Sequence, residues 1–322
     1  MASNPPLRLG TRGSRLALWQ AHHVRDLLAA LPDAPLVEIV EIVTSGDIIQ
    51  NVPLSAAGGR DFFTKDIEDA LLDDRIDFAV HSLKDLATRL PEGLELAAVL
   101  ERADPRDALV APAGTTLASL PQGARVGTSS LRRTAFLHAV RPDLQILGLR
   151  GNVPTRVGKL DEGHYDAILL ATAGLERLGM GDRIAERIDP ETLTPAPAQG
   201  AIGLEARADD TRTLEVLAQL QHATTRTATD AERAMLRGLD GGCSVPIGGF
   251  AHVKGDRLTL SGRVASLDGA RVINGTLEGA VEDAVTLGQT LARGLSSEGA
   301  DDVLDQVRAE VHSQESTSEG AS

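Results

Sequence analysis

Two stretches of this chain share one design. Leu7-Arg8-Leu9-Gly10 reads as a short strand, Thr11-Arg12-Gly13-Ser14 as a small-residue turn, and Leu16, Trp19, Gln20, His23, Val24 and Leu27 follow at helical spacing. Arg125-Val126-Gly127, then Thr128-Ser129-Ser130, then a helix opening on Leu131-Arg132-Arg133 repeat it. Strand, tight turn and helix make the unit of an α/β sheet. The turn also suits an anion, because the first N–H groups of a helix have no partner inside it. A chain that starts this way twice is expected to form two α/β lobes.

The rest of the chain fills in that plan. Leu36 to Val43 alternates as a strand, and residues 48–61, with Ala56-Ala57-Gly58-Gly59-Arg60-Asp61, read as a mobile loop. Phe62, Phe63, Ile67, Ala70 and Leu71 predict a helix with Asp61 as its cap. Asp77 to Ser82 is a buried strand ending in Leu83-Lys84-Asp85, where ligands of open α/β sheets bind. A surface salt bridge explains a Lys-Asp pair equally well. Residues 96–111 read as a crossing segment into the second lobe. There Leu144 to Leu147 and Asp166 to Ala171 are strands, and Pro154 sits near a helix N-terminus with Arg156 one turn in. Thr194 to Gly200 is a Pro/Ala/Gly linker, and Ala201 to Glu205 is a strand returning to the first lobe. From about residue 223 a further domain is expected, an antiparallel meander turning at Lys254-Gly255-Asp256 and Asp268-Gly269 and then helices from about Val281. The Ser/Glu/Gly-rich tail from Ser313 predicts disorder.

Charge narrows the function. The net charge of −14 disfavours nucleic acid as a partner. Of the 32 basic residues only Lys65, Lys84, Lys159 and Lys254 are lysines. Most of the arginines read as a solvated face. Arg12, Arg132, Arg133, Arg150, Arg156 and Arg177, however, all fall at or within a turn of strand C-termini or helix N-termini. Two lobes facing one cleft would aim these forks at a single polycarboxylate or polyphosphate. The scattered histidines and the lone cysteine give no metal site. No run is long enough for a membrane span, the N-terminus lacks the regions of a signal peptide, and one cysteine suits a reducing cytoplasm.

That cysteine, Cys243, lies in Asp240-Gly241-Gly242-Cys243-Ser244-Val245-Pro246. A helix runs into this turn, with capping-box spacing at Thr229 and Glu232 and an apolar face of Ala231, Ala234, Met235 and Leu239. Gly241 and Gly242 are expected to end the helix in the left-handed conformation and to leave space around the sulfur. A buried, inert thiol is the alternative for a lone cysteine.

Together these segments resemble the porphobilinogen deaminase family. The resemblance is carried by Leu9 to Ser14 with Leu16 to Gln20, Ala79 to Asp85, Asp104-Pro105-Arg106-Asp107, Gly127 to Arg133, Leu149 to Arg156, Ala171 to Arg177, Gln199-Gly200-Ala201 and the Cys243 turn. It runs from about Leu7 to the helices before residue 310.

The resemblance implies an α/β fold of three domains. Two form a bilobal pair like periplasmic binding proteins, at 1–100 with 200–219 and at 101–199; the third, smaller domain at 220–312 has an antiparallel sheet, and 313–322 is a disordered tail. It further implies a dipyrromethane cofactor joined to Cys243 by a thioether. Four porphobilinogen units are added head to tail to this primer, each with loss of ammonia, and hydrolysis then releases hydroxymethylbilane. Each addition passes through a methylene-pyrrolenine cation, and Asp85 matches the catalytic aspartate. Lys84, Asp85, Thr128, Ser130, Arg132, Arg133 and Arg150 match contacts to the cofactor. Arg12, Ser14, Phe63, Arg150, Arg156, Arg177 and Gln199 match contacts to substrate and chain. A cytoplasmic monomer with no metal, nucleic acid or membrane partner is expected.

Five residues at three places depart from the family pattern: Arg60-Asp61-Phe62 where Lys, Gly and Leu are frequent, Ala87 in place of a proline, and Ala198 in place of a glycine. Asp61 leaves the role of the loop open; the other two bear on the backbone. Two other readings share the residues. A plain anion-binding protein would need neither Asp85 nor a modified Cys243. A Schiff-base enzyme using Lys84 would need that lysine desolvated, which the adjacent Asp85 opposes.

Overall fold

The computed structural model describes residues 5–44, 61–240 and 245–319. In chain order the elements are β1 (Leu7–Thr11), α1 (Arg15–Ala29), β2 (Val37–Glu41), α2 (Asp61–Leu72), β3 (Phe78–Ser82), β4 (Leu94–Val99), β5 (Asp107–Val110), β6 (Arg125–Gly127), α3 (Leu131–Val140), β7 (Gln145–Leu147), α4 (Val153–Asp161), β8 (Ala167–Ala171), α5 (Thr172–Arg177), β9 (Ile184–Arg187), β10 (Ile202–Arg207), α6 (Thr211–Ala218), α7 (Ala223–Gly238), β11 (Ile247–Lys254), β12 (Arg257–Ala265), β13 (Val272–Ala280), α8 (Ala284–Ser297) and α9 (Ala300–Glu319). The chain divides into two compact units, Met1–Arg102 with Ala201–Arg226, and Ala103–Gly200 with Thr227–Ser322.

The first unit is built on a sheet ordered β2-β1-β3-β10-β4. β1 runs parallel to β2 and β3, and β10 is antiparallel to both β3 and β4. Phe78, Ala79 and Val80 are all buried, as a central strand covered on both faces requires. One face packs Leu9, Val24, Leu28, Phe78 and Leu204 together, and the other packs Ile67, Ala70, Leu71, Ile76 and Ala79.

The second unit holds two sheets. One is ordered β7-β6-β8-β5-β9, with β6 parallel to β7 and β8 and with β5 antiparallel to β8 and β9. This is the strand order and sense of the first sheet, strand for strand. In each sheet the antiparallel inner strand is the first one made after the chain crosses over from the other unit. The other sheet is the meander β11-β12-β13. One face packs Leu258, Leu260 and Val264 against Met235, Leu291, Leu295 and Leu304, while Ser261–Thr276 and Arg257–Glu278 pair on exposed side chains. At Gly262 a Cβ would meet Met235 Sδ at 2.5 Å and Leu295 Cδ1 at 3.0 Å, so the helices lie directly on the strand there.

Within this unit the meander is tied to the first sheet by named bonds. His138 Nδ1 lies 2.8 Å from Leu267 O, and Arg263 donates to the carbonyls of Thr192 and Glu191. Glu232, wholly buried, accepts from the backbone N–H of Ala198 at 2.5 Å and of Ala251 at 2.7 Å.

Two sequence expectations change, and two others fall wholly or mostly outside the described residues. Thr229 and Glu232 lie inside α7, not at its start, because the apolar stripe begins earlier, at Ala228. Glu232 ties two backbone segments together in place of a capping box. The left-handed residue seen past that helix is Asp240, at φ 49°; Gly241, Gly242 and Cys243 lie outside the described residues. The loop placed at 48–61 falls there too, save its last residue, Asp61, which opens α2. Finally, α9 continues to Glu319, past Ser313 where disorder was expected, since no Gly or Pro interrupts the run until Gly320.

Ala198 bears strain. It is buried at φ 63°, a conformation that costs an L-residue about 1–2 kcal/mol, and its N–H is held by Glu232. Ala198→Gly should therefore be neutral to about 1 kcal/mol stabilising, despite emptying a buried methyl, and Ala198→Val should lose about 2 kcal/mol or more. Urea midpoints at constant slope decide; a large loss in Ala198→Gly would show that the backbone there is relaxed.

Candidate active site

In the first unit the charged residues stand at the ends of two adjacent strands. β1 leads to Arg12, half-buried, and to Ser14, whose Oγ caps α1 by accepting from Ala17 N at 3.3 Å. β3 leads to a single 3-10 turn, Leu83–Asp85. Leu83 and Leu86, three residues apart, both point into the core, which turns Asp85 out to solvent and leaves Lys84 half-buried. The turn is clamped from three sides. Gln20 Nε2 donates to Ser82 Oγ at 2.9 Å, Leu83 N donates to Ala201 O at 3.0 Å, and Gly203 lets Leu83 lie against β10, where a Cβ would meet Leu83 Cδ1 at 2.9 Å. One residue upstream of Ser82, buried His81 Nε2 lies 2.9 Å from Glu205 Oε2. An exposed carboxylate on a rigid, buried stem suits a group that must keep its aim without closing a local ion pair.

The corresponding turn of the second unit is built from hydroxyls. Ser130 Oγ caps α3 by accepting from Arg133 N, Ser130 N donates to Thr128 Oγ1 at 3.2 Å, and Ser129 Oγ donates to Leu149 O while accepting from Leu149 N, both at 2.9 Å. Two expected side chains then go where the sequence did not place them. Arg132 and Arg133 are buried, and both bond the carboxylate of Asp107, which has no exposure. Arg132 Nη1 donates to Asp107 Oδ2 at 2.7 Å and to Thr194 O at 2.8 Å. Arg133 Nη2 donates to Asp107 Oδ1 at 2.8 Å and Nη1 to Leu169 O at 3.0 Å. Gln199 Nε2 reaches Asp107 Oδ1 at 2.9 Å and Pro105 O at 2.7 Å.

Burial opposes the charge of Asp107, yet the charges and hydrogen bonds of Arg132 and Arg133 prevail and hold its pKa well below the carboxylate range. Burial likewise lowers the pKa of Arg132, against the pull of Asp107. Arg177, half-buried, donates from Nη2 to Gly200 O at 2.6 Å, beside Gln199, and burial pushes its pKa down to about 10, still charged at neutral pH. Arg156 donates from Nε to Gly151 O at 2.7 Å near the start of α4, which Asn152 caps, and Arg150 is exposed. Phe63 falls in α2 but its side chain, like all of Cys243, lies outside the described set.

The structure therefore joins Arg132, Arg133 and Gln199 on one carboxylate, sets Arg177 beside them, and holds Arg12, Ser14, Lys84 and Asp85 on neighbouring strand ends of the first unit. Sequence reasoning gave no role to Asp107, Gln20, His81 or Glu205. The signal for Asp107 was present: two consecutive arginines opening a helix in a buried layer require a buried anion.

A group carrying several carboxylates fits these residues. One carboxylate against two guanidiniums leaves a net positive charge at Asp107. Arg132 uses only three of its five N–H donors, and its Nε–H has no acceptor among the described residues.

The two sheets define a protein of two α/β lobes, one ending in an exposed aspartate and the other in a buried arginine pair. Residues 7–215 match the family model described as porphobilinogen deaminase, dipyromethane cofactor binding domain, and residues 227–297 the model of the porphobilinogen deaminase C-terminal domain. The chain is 50% identical over 274 residues to the porphobilinogen deaminase of Syntrophobacter fumaroxidans, covering 85% of this chain and 89% of the relative. It is 53% identical over 274 residues to that of a Roseiflexus species, covering 85% and 90%. Among solved structures it is similar to the methionine binding protein MetQ, at TM-score 0.42 and 14% identity, over 66% of this chain and 89% of that one. The chain belongs to the porphobilinogen deaminase family.

The depressed pKa of Asp107 fixes a pH signature. Its stabilising contribution is complete above the ordinary value of 3.8 and is lost as pH falls through the lower, folded-state value. Asp107→Asn should cost about 3–5 kcal/mol at neutral pH, because it leaves buried guanidiniums uncompensated. Urea unfolding of both proteins from about pH 7 down to about pH 2 should show that gap flat until about pH 4 and shrinking below it. A gap that is equally large at the acid end would show that Asp107 is not the ionised partner.

Proposed function

We propose the following division of labour for a chain that acts as a porphobilinogen deaminase, condensing porphobilinogen head to tail with loss of ammonia to give hydroxymethylbilane. The observation that carries it is the exposed Asp85 on its clamped turn, in a chain of this family. The dipyrromethane group, when bound, supplies the pyrrole carbon from which the product grows.

Cys243 holds that group through its sulfur. Lys84, Thr128, Ser130, Arg132, Arg133 and Arg150 bind its carboxylates and orient it. Asp85 accepts pyrrole N–H bonds and offsets the positive charge that develops on the substrate as ammonia departs. Because its backbone is fixed by Gln20, Leu83 and β10, the carboxylate acts without reorganising. Arg12, Ser14, Arg156 and Arg177 receive the carboxylates of substrate and growing chain, and Phe63 packs on its rings; Gln199, expected among them, is buried with both amide N–H groups on Asp107 and Pro105 and holds that carboxylate in place. The three-domain partition at 1–100 with 200–219, 101–199 and 220–312 is supported by a distinct apolar cluster on each of the three sheets, with Ala265 of β12 packing into that of the second. No helix among the described residues is long and apolar enough to cross a membrane. A monomer working in the cytoplasm is the reading adopted for the whole protein.

Asp85→Ala should abolish turnover with an unchanged melting temperature, since Asp85 is exposed and makes no core contact, while Asp85→Glu keeps a little activity. Intact and peptide mass of the purified protein should show a dipyrromethane adduct on Cys243. Wild-type rates in Asp85→Ala, or active protein with an unmodified Cys243, would overturn the assignment.

A further inference from the structure

We infer that Asp107 is the positioning residue of the cofactor-side arginines: its one buried carboxylate sets the pose of Arg132, Arg133 and Gln199 before any anion arrives. The inference rests on the cofactor reading above.

Five hydrogen bonds converge on this carboxylate. Oδ2 accepts from Arg132 Nη1 at 2.7 Å. Oδ1 accepts from Arg132 Nη2 at 3.2 Å, Arg133 Nε at 3.1 Å, Arg133 Nη2 at 2.8 Å and Gln199 Nε2 at 2.9 Å. The acceptor itself cannot drift. Asp107 opens β5, an inner strand registered against Ala171 of β8, and its own carbonyl accepts from Ile188 N at 2.8 Å. Each guanidinium has a second tether on a backbone carbonyl, Thr194 O for Arg132 and Leu169 O for Arg133. Two tethers on a planar fork fix its rotation, so the N–H groups left over keep one direction.

The number of carboxylates matters as much as their place. With none, two adjacent buried cations would repel each other and draw no stable pose. With two, the cluster would be neutral and would attract no anion. One carboxylate permits both arginines to be buried and leaves a single positive charge in a poorly hydrated place, where it acts strongly. The other sheet lacks this device at the matching register: β10 sets Ile202 opposite Ser82 where β5 sets Asp107 opposite Ala171. Asp107 is thus specific to the lobe that carries the paired arginines.

The test separates position from charge. Full-length wild type, Asp107→Asn and Asp107→Glu are incubated with porphobilinogen; the covalently modified fraction is read by intact mass, and the melting temperature is read in parallel. Asp107→Asn should lose both stability and modification. Asp107→Glu keeps the charge but moves it by one methylene, so it should recover most of the melting temperature while its modified fraction stays down by on the order of tenfold. Modification that simply follows melting temperature across the three proteins would make Asp107 merely structural and overturn the inference.

Should neither variant fold, the wild type still decides. The Nε–H resonance of Arg133, which donates to Asp107 Oδ1, should be sharp and slow to exchange with solvent in unmodified protein, and should stay so after modification. An averaged, fast-exchanging signal that sharpens only on modification would overturn it. A wild type that gains no adduct at all, with slow Nε–H exchange retained, would sink the cofactor reading and leave the positioning by Asp107 standing.

Discussion

A carboxylate with no solvent exposure is expensive to keep ionised, and Asp107 is kept so by two guanidiniums at once. Much of the second unit is arranged around this contact. It joins the first residue of β5 to the first turn of α3, and through Gln199 it reaches the segment that leads the chain back to the first unit. Thr194, at the other end of that segment, accepts from Arg132. The 194–200 linker is therefore held by the same cluster that fixes the two guanidiniums. Removing the carboxylate would leave charge buried and unpaired; removing one arginine would leave a neutral pair with less to offer an anion.

The first unit solves the opposite problem with the same strand order. Its acid must stay open, and the turn achieves this by burying Leu83 and Leu86 in place of Asp85 itself. The neighbouring turn at Ser14 mirrors the one at Ser130, each capping a helix with a hydroxyl. The two lobes thus share backbone and differ in chemistry: a carboxylate turned to solvent in one, a carboxylate consumed by arginines in the other. Sheets of identical topology tolerate this because residues at and beyond the strand ends do not set the strand pairing.

The antiparallel sheet is fastened to its own lobe by contacts that leave little play. Glu232 accepts from backbone on both sides, and Gly269 sits so close to the end of α3 that a side chain there would strike the backbone of His138 and Ala139. The helix that carries Glu232 is also the one that runs toward the cysteine turn. The same helix thereby ties β11 to the linker at Ala198, through a buried acceptor of the kind that fixes geometry more than it adds stability.

The repeated strand–turn–helix pattern determined the two α/β lobes from sequence alone, because burial of a two-sided sheet leaves a local apolar record in Phe78-Ala79-Val80 and Ala167 to Leu170. The helix caps at Ser14 and Ser130 and the hairpin turns at Gly255 and Gly269 were legible for the same reason: they are made by residues next to one another. Asp85 stood out as a residue just past a buried strand. What the sequence could not display was who pairs with whom across the chain. Arg132 and Arg133 looked like forks aimed at a ligand, and only the pairing of β5 with β8 brings Asp107, some 25 residues earlier, to them. Glu232 looked like a cap three residues after Thr229, and only the tertiary fold carries Ala198 and Ala251 to its carboxylate. Short-range pattern is written in spacing along the chain, while the partner of a buried charge is chosen by desolvation, which acts on whatever the fold brings near.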